Sequence, residues 1–305
     1  MRRNAFPQVL GHGRQPAFCF VTDWFFRKIA RVIAENCLEI ALSTDPGVIR
    51  SHNEDSVFAD ARLGLAILAD GMGGYNAGEV ASGMATTRLA ADLERVISST
   101  ALQAACREGD TATIERHLLN EVSAANFAVF HAAASSSRYA GMGTTLVLAW
   151  FHNNRMTVAH VGDSRLYRLR DEEFALLTRD HSLLQEQLDS GMITPEEARY
   201  SGNKNLVTRA LGVDPVVDVE IASFDVSPGE IVLLCSDGLN DMVEDEEIAL
   251  ALRTLGGNLQ LAADHLVQLA NDNGGRDNVS VILIKVRDDF AAGRNWWQRV
   301  RDMLK

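Results

Sequence analysis

The chain lacks the features that would assign it to several broad classes. No stretch approaches the ~18 consecutive apolar residues of a membrane span, so no spanning helix is expected. The run Ala17-Phe-Cys-Phe-Val21 is short and no small-residue cleavage site follows it, so no signal peptide is expected either. The four cysteines, Cys19, Cys37, Cys106 and Cys235, form no C-x-x-C pair. That disfavours a disulfide framework and a zinc cluster, and makes a reducing cytoplasm the expected location. Clustered Lys and Arg are missing and the formal net charge is -12, so no nucleic-acid partner is expected.

What is present is an apolar content of 47%, enough for a real core in one large domain with extensions or in two small ones. The excess of acids suits a cation-binding protein. The stretch Leu65-Ala-Ile-Leu-Ala-Asp70-Gly-Met-Gly-Gly74 organises the rest. A short apolar run ends in an acid, enters a glycine turn and opens a helix. A carboxylate at the end of a buried strand is costly unless a positive group pairs with it, and a metal ion is the obvious candidate. Two phosphate-cradling patterns fit poorly: the third glycine of G-x-G-x-x-G is replaced by Asn76, and no Gly-Lys-Ser/Thr follows. For this stretch alone, an acid capping a surface turn stays open.

Taken in order, residues 24–34 read as a short amphipathic helix packed on its own domain, with a membrane surface or a partner as the other reading. Residues 38–43 read as a strand and Asp45-Pro-Gly47 as a turn. If residues 51–58 are extended, Glu54 and Asp55 face opposite ways and Arg50 shares a face with Glu54. That juxtaposes a cation for a phosphate with a carboxylate for a metal, or forms an ordinary ion pair. Residues 77–97 and 111–134 read as helices, the first with a stripe of Val80, Met84, Thr87, Leu89 and Leu93. A hairpin is expected around His152-Asn-Asn154. Asp163 and Arg165, two apart, share a face if their strand is regular. Ser182 or Asp180 caps a helix at 183–188, and residues 171–210 read as a mobile flap. Two further apolar strands carry acids at their ends, Asp237 and Asp277.

In family order, Arg50-Ser-His-Asn-Glu-Asp55, Asp70-Gly-Met-Gly-Gly74, Gly143-Thr-Thr145, Gly162-Asp-Ser-Arg165, Ser236-Asp-Gly238 and Arg276-Asp-Asn278 closely resemble the metal-dependent serine/threonine protein phosphatases, the protein phosphatase 2C family, in its bacterial form. The resemblance runs from about residue 38 to 286. It implies an α+β fold, a four-layer αββα sandwich of two antiparallel sheets flanked by helices. It further implies a catalytic domain at 38–287 between an N-terminal extension (1–37) and a C-terminal tail (288–305). Two Mn²⁺ or Mg²⁺ ions are implied between the sheets, which oxygen ligands suit. By position, Asp70 bridges both ions, Asp237 and Asp277 hold the first, and Glu54 with the Gly71 carbonyl hold the second. Asp163 matches an acid that helps Asp237 hold a third, weaker ion. Asp55 orients the water that the two ions activate, and Arg50 clamps the phosphate.

Neither Cys235 nor Ser236 is needed as a nucleophile, since no phosphoenzyme is implied; both are read as packing at the strand end. Met72 stands where eukaryotic relatives have a histidine, and Tyr200-Ser-Gly-Asn203 departs from the His-Pro often seen in the flap. His52, His160 and His181 are read as structural or solvent-facing. Trp296 and Trp297, with Arg294, Arg299 and Arg301, are read as anchoring the tail to the domain. The expected activity is hydrolysis of phosphoserine and phosphothreonine in proteins, by a monomer opposing a bacterial Ser/Thr kinase. The alternatives are a phosphatase-like binding module without turnover and a hydrolase of small phosphoesters. The complete acid set disfavours the first alternative.

Overall fold

The computed structural model describes residues 37–74, 77–198 and 206–291. The helix expected at 24–34, the Tyr200-Ser-Gly-Asn203 stretch and the two tail tryptophans lie outside the described residues. Strands β1 (Leu38–Asp45), β2 (Asp55–Asp60) and β3 (Leu65–Met72) precede helices α1 (Ala77–Ile97), α2 (Thr100–Glu108) and α3 (Thr111–Ser135). Then follow β4 (Gly143–Thr144), β5 (Leu146–His152), β6 (Arg155–Val161), β7 (Arg165–Arg170), β8 (Glu173–Leu176), α4 (Leu183–Asp189) and α5 (Pro195–Ala198). The last elements are β9 (Glu220–Asp225), β10 (Ile231–Cys235), α6 (Asp237–Asn240), α7 (Asp245–Leu255), α8 (Leu259–Asp272) and β11 (Val279–Val286).

Among the described residues the strands form two sheets, ordered β1-β11-β10-β7-β8 and β2-β3-β5-β6-β9, with β4 paired to β3. Side-chain alternation turns them into four layers. Leu65 and Ile67 of β3 point outward onto Ala81, Ala85 and Leu89 of α1 and Val122 of α3. Their neighbours Ala66 and Leu68 point inward, onto Val232, Leu234, Ile282 and Ile284 of the facing sheet. On the far side Leu233, Val281 and Leu283 pack on Ile248 and Leu252 of α7 and Leu266 of α8. Central strands are therefore apolar on both faces, and the expected αββα sandwich is what forms.

Several local readings hold and others need correction. Helix α1 spans the expected residues, but its buried row is Ala77, Ala81, Ala85, Leu89 and Leu93, an i,i+4 series. Thr87 is exposed and Val80 and Met84 are only half-buried, because the small residues are what allow the helix to lie close on β3. Helix α2, capped by Ser99 and ended by Gly109 at φ 72, was not expected at all. In the β5–β6 hairpin Asn153 and Asn154 both adopt positive φ (48 and 58), as a tight two-residue turn requires. Strand β7 begins at Arg165, so Asp163 precedes it and the two do not share a strand face. The flap expected from residue 171 includes β8, an edge strand paired to β7. At the other end, Phe290 is buried in the inter-sheet core and its N–H donates to Asn154 Oδ1 at 2.7 Å, so packing continues past residue 287.

Candidate active site

The space between the sheets is apolar until one end, where alternation substitutes acids and hydroxyls. Asp70 continues the inward series Ala66, Leu68 on β3, and Asp55 shares the inward face of β2 with Val57 and Ala59. From the facing sheet, Ser236 follows Val232 and Leu234, and Ser280 precedes Ile282 and Ile284. The β2–β3 register sets Asp55 directly opposite Asp70. Ser236 Oγ donates to Asp55 Oδ2 at 2.8 Å and accepts from the Ser280 N–H at 3.0 Å, which ties the acid to the opposite sheet. The Asp70 backbone is fixed on both sides: its N–H donates to Thr145 Oγ1 at 3.0 Å and its carbonyl accepts from the Thr145 N–H at 2.8 Å.

Glu54 lies just before β2, so it escapes the strand alternation and turns to the start of α1. There the N–H groups of Gly78 and Glu79 favour its charged form, although burial dominates and raises its pKa. Three backbone segments cross here at close quarters. Gly71 N–H donates to the Glu54 carbonyl at 3.1 Å. A Cβ on Gly71 would lie 2.2 Å from the Gly78 carbonyl oxygen, and one on Gly78 would lie 2.8 Å from Glu54 Cδ. Only glycine fits either place.

Asp237 opens α6 directly after β10, and Asp277 directly precedes Asn278 and β11. Gly238 allows these two segments to meet, since a Cβ there would come within 2.0 Å of the Asn278 carbonyl oxygen. Asp163 follows Gly162, whose φ of 107 takes the chain sharply out of β6, and is 7% exposed. The acids act on one another. Burial, then Asp55, Asp237, Asp163 and Asp277, push Asp70 far above the ordinary carboxylate range. Burial, then Asp163, Asp241 and Asp277, do the same to Asp237. Asp55 is pushed up to about 6 by burial, against hydrogen bonds from Ser280 and Ser236. Asp163 rises to about 7 through burial and then Asp180.

Little positive charge offsets this cluster. Arg165 directs its guanidinium to Asp180, at 2.7 and 3.0 Å, rather than to Asp163. Arg50 is not on a strand with Glu54; the loop bends it to Asp277, where Nη2 donates to Oδ2 at 2.6 Å. Two buried carboxylate oxygens, Asp55 Oδ1 and Asp237 Oδ1, have no hydrogen-bond partner. Converging acids with raised pKa values and bare buried oxygens are what a site for hard divalent cations presents when only protein groups are counted.

A second group, His160, His181 and Glu220, brings ligand-type atoms within 4.8 Å of one another. Both ring nitrogens of His160 are buried without a partner, whereas the hydrogen bonds of His181 leave it no free ligand nitrogen. The Gly162 N–H donates to His181 Nδ1 at 3.1 Å, which leaves the proton of the neutral ring on Nε2, facing Glu220 Oε2 at 3.3 Å. Arg209 lies 3.4 Å from the same Nε2. Burial pushes His160 down to about 3, so it stays neutral. His52 is exposed, in keeping with the structural or solvent-facing reading of these three histidines.

Sequence reasoning missed several contributors. Ser236, read as packing, holds Asp55. Asn278 accepts the Glu54 N–H at 2.8 Å and donates to the carbonyls of Pro46 and His52, gathering the Arg50 loop and Glu54 around one amide. The motif Arg276-Asp-Asn278 held that signal. Gly78 had none, because a glycine in the first turn of a helix is unremarkable.

Comparison with known proteins agrees with this geometry. The family model for protein phosphatase 2C matches residues 50–271. The serine/threonine phosphatase stp of Listeria innocua is 40% identical over 265 residues, covering 85% of this chain and 97% of its own. The crystal structure of the Mycobacterium tuberculosis serine/threonine phosphatase PstP/Ppp superposes with a TM-score of 0.73 at 37% identity, over 82% of this chain and 99% of that one. The catalytic domain of PstP in complex with 2 manganese ions gives a TM-score of 0.69 at 38% identity, over 83% and 99%. With most of the domain matched and the motifs gathered at one end of the same sandwich, the chain belongs to the protein phosphatase 2C family.

Proposed function

We propose that this protein removes phosphate from phosphoserine and phosphothreonine in proteins, using divalent cations held by its acid cluster. It is a serine/threonine phosphatase of the protein phosphatase 2C type. The observation that carries the metal reading is the pair of unpartnered buried oxygens on Asp55 and Asp237 within converging acids. Glu54, Asp70, Asp237, Asp277 and the Gly71 carbonyl would hold two ions, with Asp163 available to a third. All of these donors are oxygens, which suits Mn²⁺ or Mg²⁺. When bound, such ions supply a water of lowered pKa and neutralise phosphate charge.

The remaining roles fall to side chains whose positions are known. Arg50, 52% exposed at the mouth of the site, would share its guanidinium between Asp277 and the phosphate oxygens. Asp55, held by Ser236, would accept a hydrogen bond from the attacking water and set its direction. Neither Cys235 nor Ser236 is required as a nucleophile. Partners in this reading are phosphorylated proteins and a Ser/Thr kinase whose work is reversed in the cytoplasm. No helix among the described residues is long and apolar enough to cross a membrane.

The test is hydrolysis of a phosphothreonine peptide by the purified chain with Mn²⁺, with chelator, and in Asp237→Asn. Turnover that needs Mn²⁺ and collapses in the folded variant supports the proposal. Turnover confined to small phosphates would favour a small-phosphoester hydrolase, and metal binding without any turnover a binding module.

A further inference from the structure

The loop between β1 and β2 carries Val48 and Ile49 immediately before Arg50, and both side chains stand in solvent, 64% and 70% exposed. Their exposure does not come from a loose backbone. The Gly275 carbonyl accepts from the N–H of Val48 at 2.8 Å and of Ile49 at 3.2 Å. Asn278 Nδ2 donates to the carbonyls of Pro46 and His52, at 2.9 and 2.8 Å, and so spans the loop with one side chain. Asp45 Oδ1 accepts from the Gly47 N–H at 2.9 Å and from Asn271 Nδ2 at 3.1 Å. Gly47, at φ 80, lies so close to the Asp277 segment that a Cβ would come within 2.3 Å of its carbonyl oxygen. The loop backbone is thus pinned against the Gly275–Asn278 segment while the two apolar side chains stay exposed.

We infer that Val48 and Ile49 form a rigid apolar shelf that reads the side chains beside the phosphorylated residue, favouring phosphopeptides with an aliphatic residue within about three positions of it. The inference rests on the phosphatase reading and on Arg50 holding the phosphate. A peptide whose phosphate reaches Arg50 brings its flanking residues within reach of Val48 and Ile49, because successive Cα atoms are only about 3.8 Å apart. An aliphatic side chain there removes apolar surface of both partners from water. Val and Ile are stiff at χ1 and the loop is already ordered, so contact costs the enzyme little entropy.

The test is a panel of phosphothreonine peptides of equal length and charge, each with a single Leu moved through the flanking positions of a serine background. At one position or more, wild-type kcat/KM is expected to exceed that of the all-serine peptide by about five- to tenfold, mainly through KM. In the double variant Val48→Ser/Ile49→Ser this ratio is expected to fall below about twofold. The ratio is formed within each protein, so a change in overall turnover drops out. A flat panel in the wild type, or an undiminished ratio in the variant, overturns the shelf. Hydrolysis of p-nitrophenyl phosphate with Mn²⁺ separates the two readings. Turnover there with flat peptide ratios removes the shelf alone, whereas no turnover of any of these substrates removes the phosphatase reading beneath it.

Discussion

Asp55 and Asp70 occupy facing positions on adjacent antiparallel strands, where two like charges oppose each other across the ladder. Such a pair destabilises a sheet unless something external repays it. Ser236 and Ser280 reach Asp55 from the other sheet, yet both acids are still driven above the carboxylate range by burial and by their neighbours. The fold thus carries, at one end of its core, a repulsion that a cation between the sheets would relieve.

Metal removal should therefore show in stability as well as in turnover. With Mn²⁺ well above its dissociation constant, stabilisation of about 2–4 kcal/mol is expected, which in a chain of this size moves Tm by roughly 3–8 °C relative to chelator. Asp70→Asn removes one charge of the facing pair. In chelator it is expected to melt no lower than the wild type, and its gain with Mn²⁺ is expected to shrink to less than about 2 °C. Calorimetry of both proteins in both conditions decides this; equal melting of the wild type with and without Mn²⁺ would sink the idea.

Two glycines of α1 should behave oppositely. A Cβ on Gly78 would press on Glu54 Cδ and on the Gly71 carbonyl, each at 2.8 Å, whereas one on Gly83 meets nothing within 4 Å. Gly78→Ala is expected to cost about 1–3 kcal/mol and at least roughly tenfold in kcat by displacing Glu54. Gly83→Ala is expected to stabilise by about 0.5–1 kcal/mol through helix propensity alone, with activity unchanged. Urea unfolding and initial rates on a phosphopeptide check both; similar effects of the two substitutions would refute the crossing argument.

The contrast between these glycines marks the limit of what could be read in advance. Asp70, Asp237 and Asp277 were legible because each sits at the end of an apolar run, where a charge needs a reason. The sandwich came from the motifs rather than from periodicity, since strands such as Val279–Val286 are covered on both faces and lose the alternation that signals a sheet. The shared strand face expected for Asp163 and Arg165 does not form because the chain breaks at Gly162, whose positive φ no local pattern announces. Asn278 and Ser236 act on residues 224 and 181 positions away, contacts that no local pattern encodes.

Ser236 makes a separable prediction. Its hydroxyl serves Asp55 and the Ser280 N–H together, so Ser236→Ala leaves a buried acceptor and a buried donor without their partner. A loss of about 1–3 kcal/mol is expected, with turnover lowered by roughly tenfold as Asp55 loses its anchor. If Ser236 were the nucleophile, activity would vanish altogether. Steady-state rates of the folded variant distinguish the two cases.

The pH dependence of stability should carry a contribution from His152. It is 7% exposed, tilted against Trp150 with ring centroids 4.5 Å apart, and its Nε2 pairs with Thr157 Oγ1 at 2.9 Å while Nδ1 has no partner. Burial, helped by Arg155, pushes its pKa down from 6.5 to about 4. Between those values the unfolded chain binds the proton and the folded chain does not, so lowering the pH through this window favours unfolding. The stabilisation is complete above about pH 7 and is lost as pH falls to 4, by roughly 2–3 kcal/mol from this residue. The metal cluster pulls the other way, because acids with raised folded values take up protons more readily when folded. The His152 share must therefore be read as a difference between proteins. Denaturant unfolding of wild type and His152→Gln at pH 7 and pH 4.5, both in chelator, should show the variant losing about 2 kcal/mol less over the interval. Parallel pH profiles would mean that His152 is protonated in the folded state as readily as in the unfolded one.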